Sequence, residues 1–164
     1  MVAQVNQQHS AAPVEDDTYD VTQQVGHLLR KAYQHHLSIF NEMVGELQLT
    51  SVQFVTLCIL RDLGDCSQAE LVRSTAVDQA TIRGVVDRLN ARNLLELKKD
   101  ENDARKVVIA LTEAGAAALD AMLPKARAIS EATVANLNPA ERVALGFLLR
   151  KITSRSRGKT RSST

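Results

Sequence analysis

Tryptophan is absent, and just two tyrosines and three phenylalanines occur in 164 residues. Any core must therefore be built from Leu, Val, Ile and Ala, a composition that favours helices. Two cysteines, Cys58 and Cys66, are too few for a disulfide-dense secreted scaffold. No apolar run approaches the roughly 20 residues of a membrane span, and no signal-peptide core opens the chain, so a cytoplasmic protein without a membrane role is expected. A strong net charge is missing too: the formal value of +1 neither favours nor excludes nucleic acid, because only local clustering matters for phosphate contact. That charge is polarised. Glu15, Asp16, Asp17 and Asp20 stand near the start, whereas Arg150, Lys151, Arg155, Arg157, Lys159 and Arg161 close the chain with no acid among them.

Catalytic signatures are equally scarce. There is no nucleophile elbow, phosphate-cradling Gly loop, zinc motif or carboxylate pair with plausible roles, so an enzyme is not expected. His35 and His36 are adjacent, about 100 degrees apart on a helix, and cannot aim at one metal as an i, i+4 pair does. No metal and no cofactor are expected.

What is present is a succession of helix signals. Residues 1–17, rich in Gln, Ser and Ala with an acidic run, read as a disordered arm. From 18 to 47 the apolar positions Val21, Val25, Leu28, Leu29, Ala32, Ile39, Phe40, Met43, Val44 and Leu47 keep helical spacing over roughly eight turns. Such a helix cannot bury its stripe alone, which points to a second chain. Thr50 to Gln53 and Ser67 to Glu70 each have the form of a capping box, opening helices 52–63 and 68–74. Asp78 then caps a helix whose Ile82, Val85, Val86 and Leu89 share one face, leaving Gln79, Ala80, Thr81, Arg83, Gly84 and Asp87 on the other. Two short helices joined by a tight turn, the second with a polar face, form a helix-turn-helix.

After Asn93, a residue tolerant of left-handed backbone, Leu94 to Lys99 and Lys106 to Leu111 read as two strands around a charged loop, hence a wing. A helix from Thr112 to about Leu137 follows. Asn138-Pro-Ala-Glu141 opens the last helix, to about Thr153, and 154–164 reads as a basic disordered tail.

These elements carry a resemblance to the multiple-antibiotic-resistance regulator (MarR) family of winged-helix transcription factors. The most specific match is Asp103-x-Arg105 followed by Leu111-Thr112-x-x-Gly115, supported by Leu49-Thr-x-x-Gln53, Gln68-Ala-Glu-Leu-Val72 and Val86-Asp-Arg-Leu89. The resemblance implies a mostly helical (α+β) winged helix-turn-helix: an N-terminal dimerisation helix at 18–47, a DNA-binding domain at 48–112 and C-terminal dimerisation helices at 113–153. It implies that Gln79, Ala80, Thr81 and Arg83 enter the major groove of double-stranded operator DNA, with Gln68 and Lys106 as further contacts. Arg105 at the wing tip would reach an adjacent minor groove, held by Asp103. Arg88 borders the apolar face and either contacts phosphate or serves structure. Ala104 stands where the family often has another Arg, and Asn93 where it often has Gly. A homodimer on a pseudo-palindromic operator follows, acting as a repressor released by a small effector.

The first helix concentrates His27, Arg30, Lys31, Tyr33, His36 and Phe40, which with Phe54 suggest a pocket for an anionic aromatic or acyl ligand, an aromatic acid or a coenzyme A thioester. Two alternatives stand beside this reading: thiol-redox sensing through Cys66, expected in an exposed loop, and a helical protein-interaction module without DNA binding. Cys58 is expected to be a small buried hydrophobe.

Overall fold

The computed structural model describes residues 19–100, 103 and 105–154. The amino-terminal arm, nearly all of the basic tail and Ala104 lie outside them. Among the described residues six helices flank one hairpin in the order α1 (Val25–Met43), α2 (Ser51–Leu63), α3 (Gln68–Thr75), α4 (Gln79–Ala91), β1 (Leu95–Lys99), β2 (Val107–Leu111), α5 (Glu113–Thr133) and α6 (Pro139–Thr153).

The helix starts follow the capping chemistry. Thr50 and Gln53 close one reciprocal box, Ser67 and Glu70 a second, and Asn138 and Glu141 a third with Pro139 at the first position. Asp78 accepts from the Thr81 amide at 2.9 Å to cap α4. Gly64 and Asn93 end their helices with φ of 73° and 56°.

The predicted inner face of α4 is the observed one: Ile82 and Leu89 are fully buried, Val85 and Val86 nearly so. They join Leu57 and Leu60 of α2, Leu71 of α3, Leu95 of β1, Ile109 of β2 and Leu119 and Met122 of α5 in a single core. Each fully buried Leu of this kind contributes about 2 kcal/mol.

The wing is an antiparallel pair with Leu95 opposite Leu111 and Lys99 opposite Val107. Gly115 explains the Thr-x-x-Gly spacing that follows it. A methyl group there would lie 1.9 Å from the Leu94 carbonyl oxygen, while Thr112 caps α5 through the Gly115 amide and donates its hydroxyl to the Asn93 carbonyl. One turn of sequence thus bolts the wing to the following helix.

Several expectations need correction. The first helix is not continuous over 18–47: a 3-10 turn, Val21–Gln23, precedes it, and a second, Gly45–Leu47, follows a break at Val44. Gly45 has φ 63°, a left-handed conformation that glycine adopts without strain, so the chain can turn there. Lys125 donates to the Val44 carbonyl, and Arg92, at the end of α4, donates to the carbonyls of Leu47 and Gln48 at 2.8 and 3.0 Å. Tertiary donors therefore hold carbonyls that a continued helix would have bonded internally. Helix α5 stops at Thr133, short of Leu137, with residues 134–136 forming a turn.

Cys66 is buried, not exposed. Its backbone exchanges two hydrogen bonds with Ile109, adding a one-residue bridge to the sheet and turning the side chain into the core. Cys58 is half-buried, less enclosed than expected.

Candidate DNA-binding face and effector cavity

Gln68 at the start of α3, Gln79, Ala80 and Arg83 along α4, and Leu97 and Val107 on the wing line one cleft of about 700 Å³. Val86, Asp87 and Ile109 complete its lining. The fold brings four of the expected contacts together here. Thr81 is exposed in the first turn of α4, its hydroxyl donating to Asp78 at 2.7 Å. Bonds from the Thr81 amide and hydroxyl hold the Asp78 carboxyl below its ordinary range. The cap is therefore charged at neutral pH and complements the helix terminus. Arg88 is exposed and its guanidinium lies back over Gly84.

At the wing tip, Arg105 and Lys106 are exposed. Asp103 does not grip the Arg105 guanidinium as the resemblance implied; it accepts from the Arg105 backbone amide at 3.1 Å, and its other oxygen lies 3.7 Å from Lys106 Nζ. Asp100 accepts in turn from the Asp103 amide at 3.1 Å. Two short acids thus shape the turn and leave the arginine head outward, because an aspartate reaches a neighbouring amide more readily than a long side chain's tip.

A second site lies between α1, α2 and α5. His36, Phe40, Ser51, Phe54, Val55, Ala126, Ile129 and Ser130 surround a cavity of about 160 Å³. Of the ligand candidates read from sequence, His36, Phe40 and Phe54 meet here. Tyr33 joins them through its ring, stacked on His36 at 6.4 Å, while Phe40 lies tilted against His36 at 6.4 Å and against Phe54 at 6.3 Å. His27, Arg30 and Lys31 do not line it. His27 is nine residues before His36 on α1, roughly 13 Å along the axis.

The cavity's polar residues from α5 were missed. Ser130 is at the wall, and Thr133 lies 2.9 Å from His36 Nδ1 while donating its hydroxyl to the Ile129 carbonyl at 2.7 Å. Their signal was faint: two hydroxyls three apart in a helix otherwise rich in Ala and Leu.

The setting of Cys66 disfavours a thiolate. Burial pushes its pKa up, and the nearby Glu70 and Asp65 carboxylates push it further in the same direction. Cys58 is raised as well, chiefly by burial. Among the described residues no cluster of His, Cys, Asp and Glu is arranged to hold a metal ion, and no helix is long and apolar enough to cross a membrane.

The chain matches the MarR family over residues 49–107. It is 62% identical over 143 residues to the HTH-type transcriptional repressor NicR of Pseudomonas putida, covering 87% of this chain and 90% of that protein. Among solved structures, it is similar to BpsR of Bordetella bronchiseptica, whose DNA binding is regulated by 6-hydroxynicotinic acid. The TM-score is 0.79 at 51% identity, over 83% of this chain and 97% of the other. A mutant of MarR from Escherichia coli complexed with operator DNA gives a TM-score of 0.74 at 27% identity, over 82% and 99%.

Proposed function

The chain belongs to the MarR family and is a ligand-responsive, DNA-binding repressor, not an enzyme; from that premise we propose that its effector is 6-hydroxynicotinic acid, bound in the cavity at His36. The observation that carries this reading is the meeting of His36, Phe40 and Phe54 around about 160 Å³. A cavity of roughly 150 Å³ admits a benzene ring, so this one suits a single-ring acid and is too small to enclose a coenzyme A thioester. The likeness to BpsR supports 6-hydroxynicotinic acid as that ring.

The protein works in the cytoplasm as a homodimer on a two-fold symmetric operator. Helix α6 buries none of its residues within the chain and leaves Phe147 58% and Ile152 62% exposed; Val21, Val25 and Leu28 at the other end of the chain are exposed too. A second copy covering both surfaces accounts for them. In the dimer, two α4 helices read successive major grooves through Gln79, Ala80, Thr81 and Arg83, assisted by Gln68, while Arg105 and Lys106 reach the backbone or minor groove beyond. Arg88 serves phosphate contact from the rim of α4.

Release follows from differential binding. The acid must bind the DNA-incompetent spacing of the two α4 helices more tightly than the competent one, since equal affinity shifts nothing. A coupling of about 1 to 3 kcal/mol changes operator affinity roughly 5- to 150-fold.

Fluorescence anisotropy with labelled upstream DNA tests the reading. Added 6-hydroxynicotinic acid is expected to release the DNA, with an acyl-coenzyme A thioester far less effective. Anisotropy that stays high at saturating acid overturns it.

A further inference from the structure

We propose that Thr133 fixes the tautomer of His36 and thereby makes the cavity select an aromatic acid whose ring donates a hydrogen bond over one whose ring only accepts. The inference rests on the reading of this cavity as the effector site and adds the chemical rule by which it chooses.

The hydrogen-bond chain sets the polarity. A threonine hydroxyl has one proton, and that of Thr133 goes to the Ile129 carbonyl at 2.7 Å. Toward His36 Nδ1, 2.9 Å away, the hydroxyl oxygen can then only accept. Nδ1 must carry the proton, and in the neutral ring Nε2 is left as a lone-pair acceptor. Turning the ring over would break the hydrogen bond between Nδ1 and Thr133, which is what holds this arrangement. Tyr33 stacks on it with an interplanar angle of 23° and Phe40 lies tilted against it at 54°. His36 is half-buried and lines the cavity, so a ligand seated there would shield its free nitrogen from water, and an acceptor shielded without a donor is costly.

An acceptor at Nε2 calls for a donor on the ligand. In its pyridone form 6-hydroxynicotinic acid carries a ring N–H. Nicotinic acid has a lone pair at the same place, so two lone pairs would face each other; 6-methoxynicotinic acid also lacks the donor. These three differ little in size and share the carboxylate, which isolates the proton as the quantity being read.

Calorimetric titration of the three acids into the full-length protein and two variants tests this. For the wild type, 6-hydroxynicotinic acid is expected to bind at least about tenfold more tightly than either of the others, the effect of one net hydrogen bond. Thr133→Val keeps the side chain's shape but removes the acceptor, and should shrink that ratio about tenfold; Thr133→Ser, which restores the hydroxyl, should recover it. Nitrogen-15 spectra of the unliganded wild type should show the Nδ1–H tautomer at the signals lost in His36→Gln. Acids that bind with a ratio unmoved by Thr133→Val, or spectra showing the Nε2–H tautomer, overturn the proposal while leaving the effector site intact. If none of the acids binds the wild type, the effector reading itself fails and the selection rule falls with it. Should Thr133→Val not fold, the wild-type spectra still decide.

Discussion

Helices α4 and α6 are similar in length, 13 and 15 residues, yet α4 buries Ile82, Val85, Val86 and Leu89 almost completely whereas α6 buries nothing and leaves Val143 73% exposed. The first belongs to a lobe that completes its core within one chain. The second belongs to a helical base, with the first half of α1, whose apolar surface has no cover in the monomer. Self-sufficiency suits a DNA-binding lobe, which must hold a fixed shape. A base whose apolar surface is left uncovered can be repositioned by whatever binds near it, and the His36 cavity lies where α1 and α5 meet.

The sharpest way to break the lobe alone is Gly115→Ala. With the new methyl group 1.9 Å from the Leu94 carbonyl oxygen, either the wing or α5 must move. Loss of about 3 kcal/mol in urea denaturation is expected, at the upper end of overpacking effects. A loss below about 0.5 kcal/mol, within the range of ordinary surface substitutions, would show that wing and helix slide freely.

That glycine also marks how far local rules reach. The capping pairs, the inner face of α4, the left-handed Asn93 and the wing-to-helix turn were legible because each depends on residues within about one helical turn or hairpin of each other. The break after Met43 was not. Helical spacing of the apolar residues continues through Val44 and Leu47, and the chain departs from it because Arg92 and Lys125, distant in sequence, take the carbonyls. The same holds for the cavity. His36, Phe40 and Phe54 stood out as unusual residues, but Thr133 is 97 positions from its partner and carries no mark of its own. Cys66 was misread for a related reason: its burial comes from backbone pairing with Ile109, which no local pattern announces.

Breaking the base calls for Phe147→Asp. A charge on a surface that the dimer would bury should yield monomers by light scattering with circular dichroism largely retained. Operator affinity should then fall about 100-fold, because one α4 and one wing bind a half-site alone. A dimer that persists would place the interface elsewhere.

A smaller effect is expected at the wing tip. Arg105→Ala should weaken operator binding about tenfold and reduce the salt slope by about 1, without altering the thermal transition, since the exposed guanidinium supports nothing in the fold. An unchanged slope would mean that the tip stays clear of phosphate.

The smallest effect on operator binding itself tests whether the two regions communicate. Arg92 ends α4 and donates to Leu47 and Gln48, while Lys125 of α5 donates to Val44 at the other end of the same short connection. The link from α5 to α4 therefore passes through a turn in which Gly45 and Gln48 both hold positive φ, a conformation costly for glutamine and kept only where neighbours enforce it. Arg92→Ala removes one enforcer at the exposed surface, so about 1 kcal/mol of stability should be lost. Operator affinity without effector should change little. If the turn carries the signal, the ratio of operator affinities without and with 6-hydroxynicotinic acid should fall several-fold, and the acid's affinities for free and DNA-bound protein should converge by the same factor, as linkage requires. A variant in which both ratios hold would show that lobe and base are coupled through the packing of α2 against α5 instead, with the turn serving as a passive hinge.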